Sequence, residues 1–148
     1  MYENPYDPMK RADLTANERL VLEFTGQCIH GADESLIDRC VAREYIQHTP
    51  GIGQGREGLR NYLCEIAWRR PNRETWRPIH VFASGDFVIL HKLLALVVIV
   101  DIFRINAVGQ LAEHWDVVQT LPAPDYDPMQ PSLENFARFR ALFGMPGP

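Results

Sequence analysis

Cysteine is scarce in this chain: Cys28, Cys40 and Cys64 are the only three among 148 residues. They are widely spaced and odd in number, and no Cys-x-x-Cys pair occurs, so neither a disulfide framework nor a thiol metal knuckle is indicated. Cys40 and Cys64 fall at apolar positions of predicted helices. Reduced, buried thiols in a reducing compartment are therefore expected, and with them a cytoplasmic location. An excess of positive charge is also missing. Fifteen Lys and Arg against nineteen Asp and Glu give a formal charge of −4, which leaves no electrostatic footprint for nucleic acid or an anionic membrane. The basic run Arg69-Arg70-Pro71-Asn72-Arg73 is flanked only singly by Trp68 and Trp76, and it reads as a solvated turn.

No uninterrupted apolar run long enough to span a bilayer is present. Residues 87–105 are strongly apolar, but His91, Lys92, Asp101 and Arg104 break them, and a spanning helix needs roughly 20 nearly uncharged residues. The β-branched residues Val88, Ile89, Val97, Val98, Ile99 and Val100 point to paired strands instead. The first residues, Tyr2-Glu3-Asn4-Pro5, lack the basic and apolar segments of a secretion signal. Repeats, low-complexity tracts and the His-x-x-x-His or His-Glu-x-x-His spacings are all absent.

What is present divides into helices first and strands afterwards. Residues 1–14, polar and with two prolines, read as a flexible arm. Thr15 and Glu18 form a capping-box pattern that opens a first helix carrying Leu20, Val21, Phe24 and Ile29 up to Gly31. A short second helix turns Leu36, Ile37, Cys40 and Val41 inward, and the turn-rich residues 49–55 end it. A third helix runs over about 56–68 with Leu59, Tyr62, Leu63 and Ile66 on one face. Four strands follow: one around Trp76 to Phe82, one from Phe87 to Leu93, one from Leu96 to Asn106 and one from Gln110 to Leu121. Ser84-Gly85-Asp86 is a tight-turn signal, whereas no Gly, Pro or Asn marks the reversal between residues 92 and 97. Residues 122–148 read as a proline-rich connector and a last helix with Phe136, Phe139 and Leu142. Helices gathered on one face of a mainly antiparallel sheet make an α+β domain over 15–121. Curled around its helices, such a sheet forms a cone with one apolar cavity.

The last hairpin carries the chemistry. On its second strand His114, Asp116 and Val118 share one face, with Glu113, Trp115, Val117 and Gln119 on the other; on its first strand Asp101, Phe103 and Ile105 share a face. Two carboxylates and an imidazole on otherwise apolar strands are costly to bury unless they are paired or line a cavity. Spacing alone does not fix the register that would bring Asp101 to His114 and Asp116.

Tyr45-Ile46-Gln47-His48-Thr49-Pro50, Gly55-Arg56-Glu57-Gly58-Leu59, Val100-Asp101-Ile102-Phe103-Arg104 and Glu113-His114-Trp115-Asp116-Val117 resemble the SnoaL-like polyketide cyclase family. They are most similar to its aldol-condensation branch, within the nuclear transport factor 2-like superfamily. The resemblance covers roughly residues 15–121. It implies a cone-shaped, cystatin-like α+β barrel. By analogy with the ketosteroid isomerases of that superfamily it turns Asp101 into the pocket as an oxyanion donor. It also places His48 where those isomerases keep a base carboxylate, a position at which this chain carries imidazole. By analogy with the polyketide cyclases it makes Asp116 the acid/base residue.

The implied reaction is cofactor-independent acid/base catalysis, with neither metal nor organic group required, on a small hydrophobic or carbonyl-containing molecule. Aldol closure needs a base for an acidic C–H, donors for the enolate and a proton for the new alkoxide. An Asp in an apolar cavity is suited to that work because desolvation raises its pKa. Asp116, His48, Asp101, His114 and His91 are the expected catalytic groups, and Tyr45, Leu63, Trp68, Phe103 and Val118 the expected lining. A homodimer through the outer sheet face is expected.

Other readings stand beside these. Asp101 can instead be paired with Arg104 or another arginine, His114 and Asp116 can be a bonded pair that fixes the hairpin, and His30, His80 and His91 can be structural. A metal site drawn from His48, His91, His114, Asp101 and Asp116 lacks a ligand spacing. An epoxide hydrolase or dehydratase is disfavoured because Asp101 and Arg104, three apart, project to opposite faces. A non-catalytic ligand-binding or interaction module would hold its acids in salt bridges, whereas an enzyme would bring His48, Asp101 and Asp116 to one cavity.

Overall fold

The computed structural model describes residues 7–71, 73–94 and 97–120. The capping box forms as the sequence predicts: Thr15 Oγ1 accepts from the Glu18 amide at 3.2 Å and Glu18 Oε2 accepts from the Thr15 amide at 2.6 Å. It opens α1 (Ala16–Glu23), which passes directly into a π-helical segment, Phe24–His30. Such i→i+5 segments are rare and often stand at functional sites. Here the segment buries Phe24, Thr25, Cys28 and His30 together.

The second helix is shorter than the sequence indicates. α2 spans Ser35–Cys40, and the chain then becomes strand β1, Val41–Gln47. Val41 continues the apolar spacing of Leu36, Ile37 and Cys40, which is why the sequence extends the helix over it. The strand lacks a hairpin partner nearby. It pairs in parallel with the last strand of the sheet, about seventy residues on, and its register slips between Val41 and Ile46. α3 (Gly55–Glu65) and a 3-10 turn at Ala67–Arg69 follow.

Four antiparallel strands complete the sheet: β2 Arg77–Ser84, β3 Phe87–Leu94, β4 Val97–Ile105 and β5 Leu111–Thr120. The order is β1-β5-β4-β3-β2, a curved sheet that does not close on itself. Gly109 (φ 79°) allows the β4–β5 turn, where Asn106 Oδ1 accepts from the amides of Val108 and Gln110. Leu94 pairs with Val97, and residues 95–96, where the sequence carries no turn signal, lie outside the described residues. The proline-rich connector and final helix expected over 122–148 also lie outside them. No helix among the described residues is long and apolar enough to cross a membrane.

One sheet face packs against the helices through Val21, Phe24, Leu59, Leu63, Val81, Val88, Leu90 and Phe103. On the other face Ile46, Phe82, Phe87, Ile89 and Val117 remain exposed. Cys28 and Cys40 are buried and Cys64 is half-buried, all three as free thiols. Within residues 7–14 two contacts reach the body of the domain. Pro8 is buried, and Arg11 donates to the Val81 carbonyl at 2.9 Å and pairs with Glu18.

The loop from β1 to α3 is held by a close approach of backbones. A Cβ on Gly58 would fall inside the backbone of Gly53. Gln54 then clamps Gln47, accepting from its amide and donating to its carbonyl. Gly58→Ala is expected to lower stability by about 1–3 kcal/mol, the usual cost of overpacking. Urea denaturation measures it, and an unchanged midpoint would contradict the close approach.

Candidate functional site

The β4–β5 register decides what meets what. Asp101 lies directly opposite Asp116 and Phe103 opposite His114. Alternation then turns Asp101, Phe103, His114 and Asp116 to the concave face, which settles the register that spacing leaves open. They line a cavity of about 310 Å³ whose apolar wall includes Phe24, Leu59, Leu63 and Ile99. Tyr45 and Gln47 of β1 and Lys92 of β3 line the same space.

A buried polar chain runs along this wall. Lys92 Nζ lies 2.8 Å from Asp101 Oδ2, and Asp101 Oδ1 lies 3.0 Å from His114 Nε2. His114 Nδ1 reaches Gln47 Oε1 at 2.8 Å, an oxygen fixed as an acceptor by the Thr49 amide at 3.0 Å. The His114 Nδ1–H is therefore a donor, and its Nε2 faces a carboxylate. A proton must lie in that second contact, because a bare ring nitrogen and a bare carboxylate oxygen would repel. Burial alone would push the Asp101 carboxyl up, but Lys92 and then His114 outweigh it and hold it below its ordinary value. The rise expected for an acid in an apolar cavity does not occur at Asp101, because Lys92, and not Arg104, supplies a buried counter-charge. Arg104 is on the other face, bonded to Glu113 at 2.8 Å.

Asp116 is the contrast. Its carboxylate faces the cavity, half-buried, and has no hydrogen-bond or ion-pair partner among the described residues. Asp101, His114 and Asp116 offer atoms within 4.8 Å of one another, close enough in principle for a metal ion. The donor set does not fit one: Lys92 already neutralises Asp101, and both His114 nitrogens are engaged. Tyr45 is nearly fully buried. Burial, then Asp101, pushes its hydroxyl well above the ordinary value, so it stays a neutral donor.

Four of the expected residues are not brought to this cavity. His48 is on the convex face, bonded to Glu113 Oε1 at 2.8 Å and stacked on Trp115 at 4.6 Å between ring centroids. Strand parity puts it there, one residue past Gln47, which faces inward. His91 is also convex, with its Nδ1 3.1 Å from that of His80. Trp68 packs against the core and donates to the Cys28 carbonyl at 2.9 Å, and Val118 is exposed beyond the cavity wall. Tyr45, Leu63, Phe103, Asp101, His114 and Asp116 do line it. The sequence reading overlooked Lys92, Gln47, His30, Arg70 and Arg73. Lys92 was legible in hindsight, since it alternates with Val88 and Leu90 on the inward face of β3.

A depressed carboxyl adds stability above its unfolded value of 3.8, and that stability is lost as pH falls through the lower folded value. Lys92→Met removes the main counter-charge and is expected to cost about 3–5 kcal/mol at pH 7, as for other broken buried pairs. The deficit should narrow on acidification, because a protonated Asp101 needs no cation. Chemical denaturation at pH 7 and pH 4 checks this; a deficit that widens toward pH 4 would contradict it.

No protein-family model and no curated protein matches the chain. Solved structures do. TsrD from Streptomyces laurentii aligns over 74% of this chain and 92% of its own at 21% identity, with a TM-score of 0.59. A SnoaL-like protein of unknown function from Burkholderia thailandensis aligns over 72% and 98% at 15% identity, with a TM-score of 0.61. An NTF2-like protein of unknown function from Burkholderia xenovorans aligns over 77% and 90% at 13% identity, with a TM-score of 0.60. The chain therefore has the SnoaL-like, nuclear transport factor 2-like fold.

Proposed function

We propose that the cavity is an active site for cofactor-independent acid/base chemistry on a small carbonyl compound, of the aldol-cyclisation or isomerisation type. The observation that carries this reading is the unpartnered Asp116 carboxylate beside a charge-compensated Lys92–Asp101–His114 chain in one apolar cavity. Two acids with opposed environments can divide the work: the bonded one stays ionised, and the free one exchanges protons.

In this mechanism Asp116 removes the proton from a carbon flanked by carbonyl groups. The C–H electron pair becomes the enolate, whose oxygen takes hydrogen bonds from Lys92 Nζ and the Tyr45 hydroxyl. Lys92 has N–H groups beyond the one turned to Asp101, and Tyr45 remains protonated. In an aldol closure the enolate carbon attacks a second carbonyl, and the resulting alkoxide recovers the proton from Asp116. In an isomerisation the proton returns at another carbon. His114 keeps Asp101 in place, with both its nitrogens occupied, and is a positioning residue. Arg104 lies on the convex face, bonded to Glu113, so the hairpin's own arginine does not meet Asp101 in the cavity as an epoxide-hydrolase Arg–Asp pair would.

The opposing reading is a ligand-binding module, and the ion-paired state of Asp101 favours it. Asp116 separates the two readings. Hydrogen–deuterium exchange at C3 of acetylacetone, followed by NMR, should be accelerated by the protein. Asp116→Asn should lower that acceleration by about 10²–10⁴-fold, the usual contribution of a general base. Equal exchange by the two proteins, or no acceleration by either, would refute the proposal.

A further inference from the structure

The cavity has a basic side that the acid/base chemistry does not use. Arg70 and Arg73, read from the sequence as parts of a solvated turn, both line it. Neither pairs with a carboxylate among the described residues. Arg70 lies over the Tyr62 ring at 5.8 Å, a contact that positions the guanidinium without neutralising it. Arg73 Nε is buried with no hydrogen-bond partner. Most other arginines of the described chain are saturated: Arg11, Arg39, Arg56, Arg60, Arg69 and Arg104 all hold carboxylates.

His30 supplies an independent observation. It is 4% exposed and lines the cavity, and both of its ring nitrogens lack hydrogen-bond partners. Orphaned buried nitrogens cost free energy unless something meets them. The ring is held in this position. The π-helical segment ends on it, and Trp76 stacks on it at 5.1 Å with an interplanar angle of 9°. A Cβ on Gly26 would strike that same indole, so Gly26 makes room for the stack. Burial first, then Lys92, drives the imidazole down to about 3, only partly opposed by the Arg73 backbone beside it, so the ring is neutral at pH 7 with a single N–H to donate.

From this arrangement we infer that the cavity binds an organic anion, with Arg73 and Arg70 facing a carboxylate of the ligand and His30 donating to the same group. The inference rests on the cavity being the ligand site proposed above and specifies the class of molecule that enters it. A carboxylate fits better than a phosphate for two reasons. The planar guanidinium fork matches it in bidentate fashion, and a dianion would share the cavity with Asp101 and Asp116. The apolar wall formed by Phe24, Leu59, Leu63 and Phe103 takes the body of the molecule, so the expected ligand is a small apolar acid.

Equilibrium binding tests this without reference to turnover. Calorimetry would compare 2-naphthoate with 2-naphthamide, which has the same body without the charge, and with 2-naphthyl phosphate. The naphthoate is expected to bind about 10- to 100-fold tighter than the amide, the usual advantage of charged hydrogen bonds. Arg73→Gln should abolish most of that preference, and Arg73→Lys, which keeps the charge, should restore part of it. Circular dichroism checks that each variant folds. Equal affinity for acid and amide, a preference untouched by Arg73→Gln, or no binding of naphthoate at millimolar concentration would each overturn the inference. Tighter binding of the phosphate would overturn the carboxylate assignment. A carboxylate preference in a protein that fails to exchange acetylacetone would sink the acid/base proposal and leave this one standing.

Discussion

Burying Asp101 is the constraint on which the site depends. A lone carboxylate at 4% exposure on a sheet face would be prohibitive. It is tolerated because β3, on one side of β4, delivers Lys92 and β5, on the other, delivers His114. Three adjacent strands are thereby tied at one level, which penalises any slip of register. A one-residue shift would carry Asp101 to the convex face and leave Lys92 buried and unpaired. β1 joins the chain through Gln47, so even the parallel edge strand is fixed by the same network.

That network also explains why the cavity has two acids of different character. Asp101 has its charge cancelled and its geometry locked, whereas Asp116, directly opposite it on β5, has no partner among the described residues. Neither arrangement follows from the residue type. Both follow from which strand lies next to which, and from the outward turn of Arg104, which ties it to Glu113 and His48 on the convex face. The two faces of one hairpin thus hold separate charge networks that never meet.

The fold and the hairpin were legible because their signals are local. The capping box at Thr15, the glycine turns at Gly85 and Gly109, and the period-2 alternation of β4 and β5 each state their own geometry. What stayed hidden is non-local. β1 has no neighbour in sequence to pair with, and the apolar spacing of Val41 continues a helix that no turn signal stops before residue 49. Without β1, nothing in the sequence states the parity that turns Gln47 in and His48 out. Lys92 registers in the sequence only as a charge that breaks an apolar run, and its burial follows from the strands on both sides of β3. The π-helical segment hid His30 in the same way, because its wider turn departs from the 3.6-residue spacing by which helical faces are read. Arg70 and Arg73 drew attention as a charge run, and only the fold of the turn shows that they line the cavity, Arg70 from an exposed position and Arg73 from a half-buried one.

Carbon-13 NMR of the Asp101 side-chain carboxyl as a function of pH tests the central claim most directly. The account predicts that this carboxyl titrates below its ordinary value of 3.8, because Lys92 and His114 together outweigh burial. A midpoint above 3.8 would mean that burial prevails, and that the paired network on which the site is built does not hold its charge.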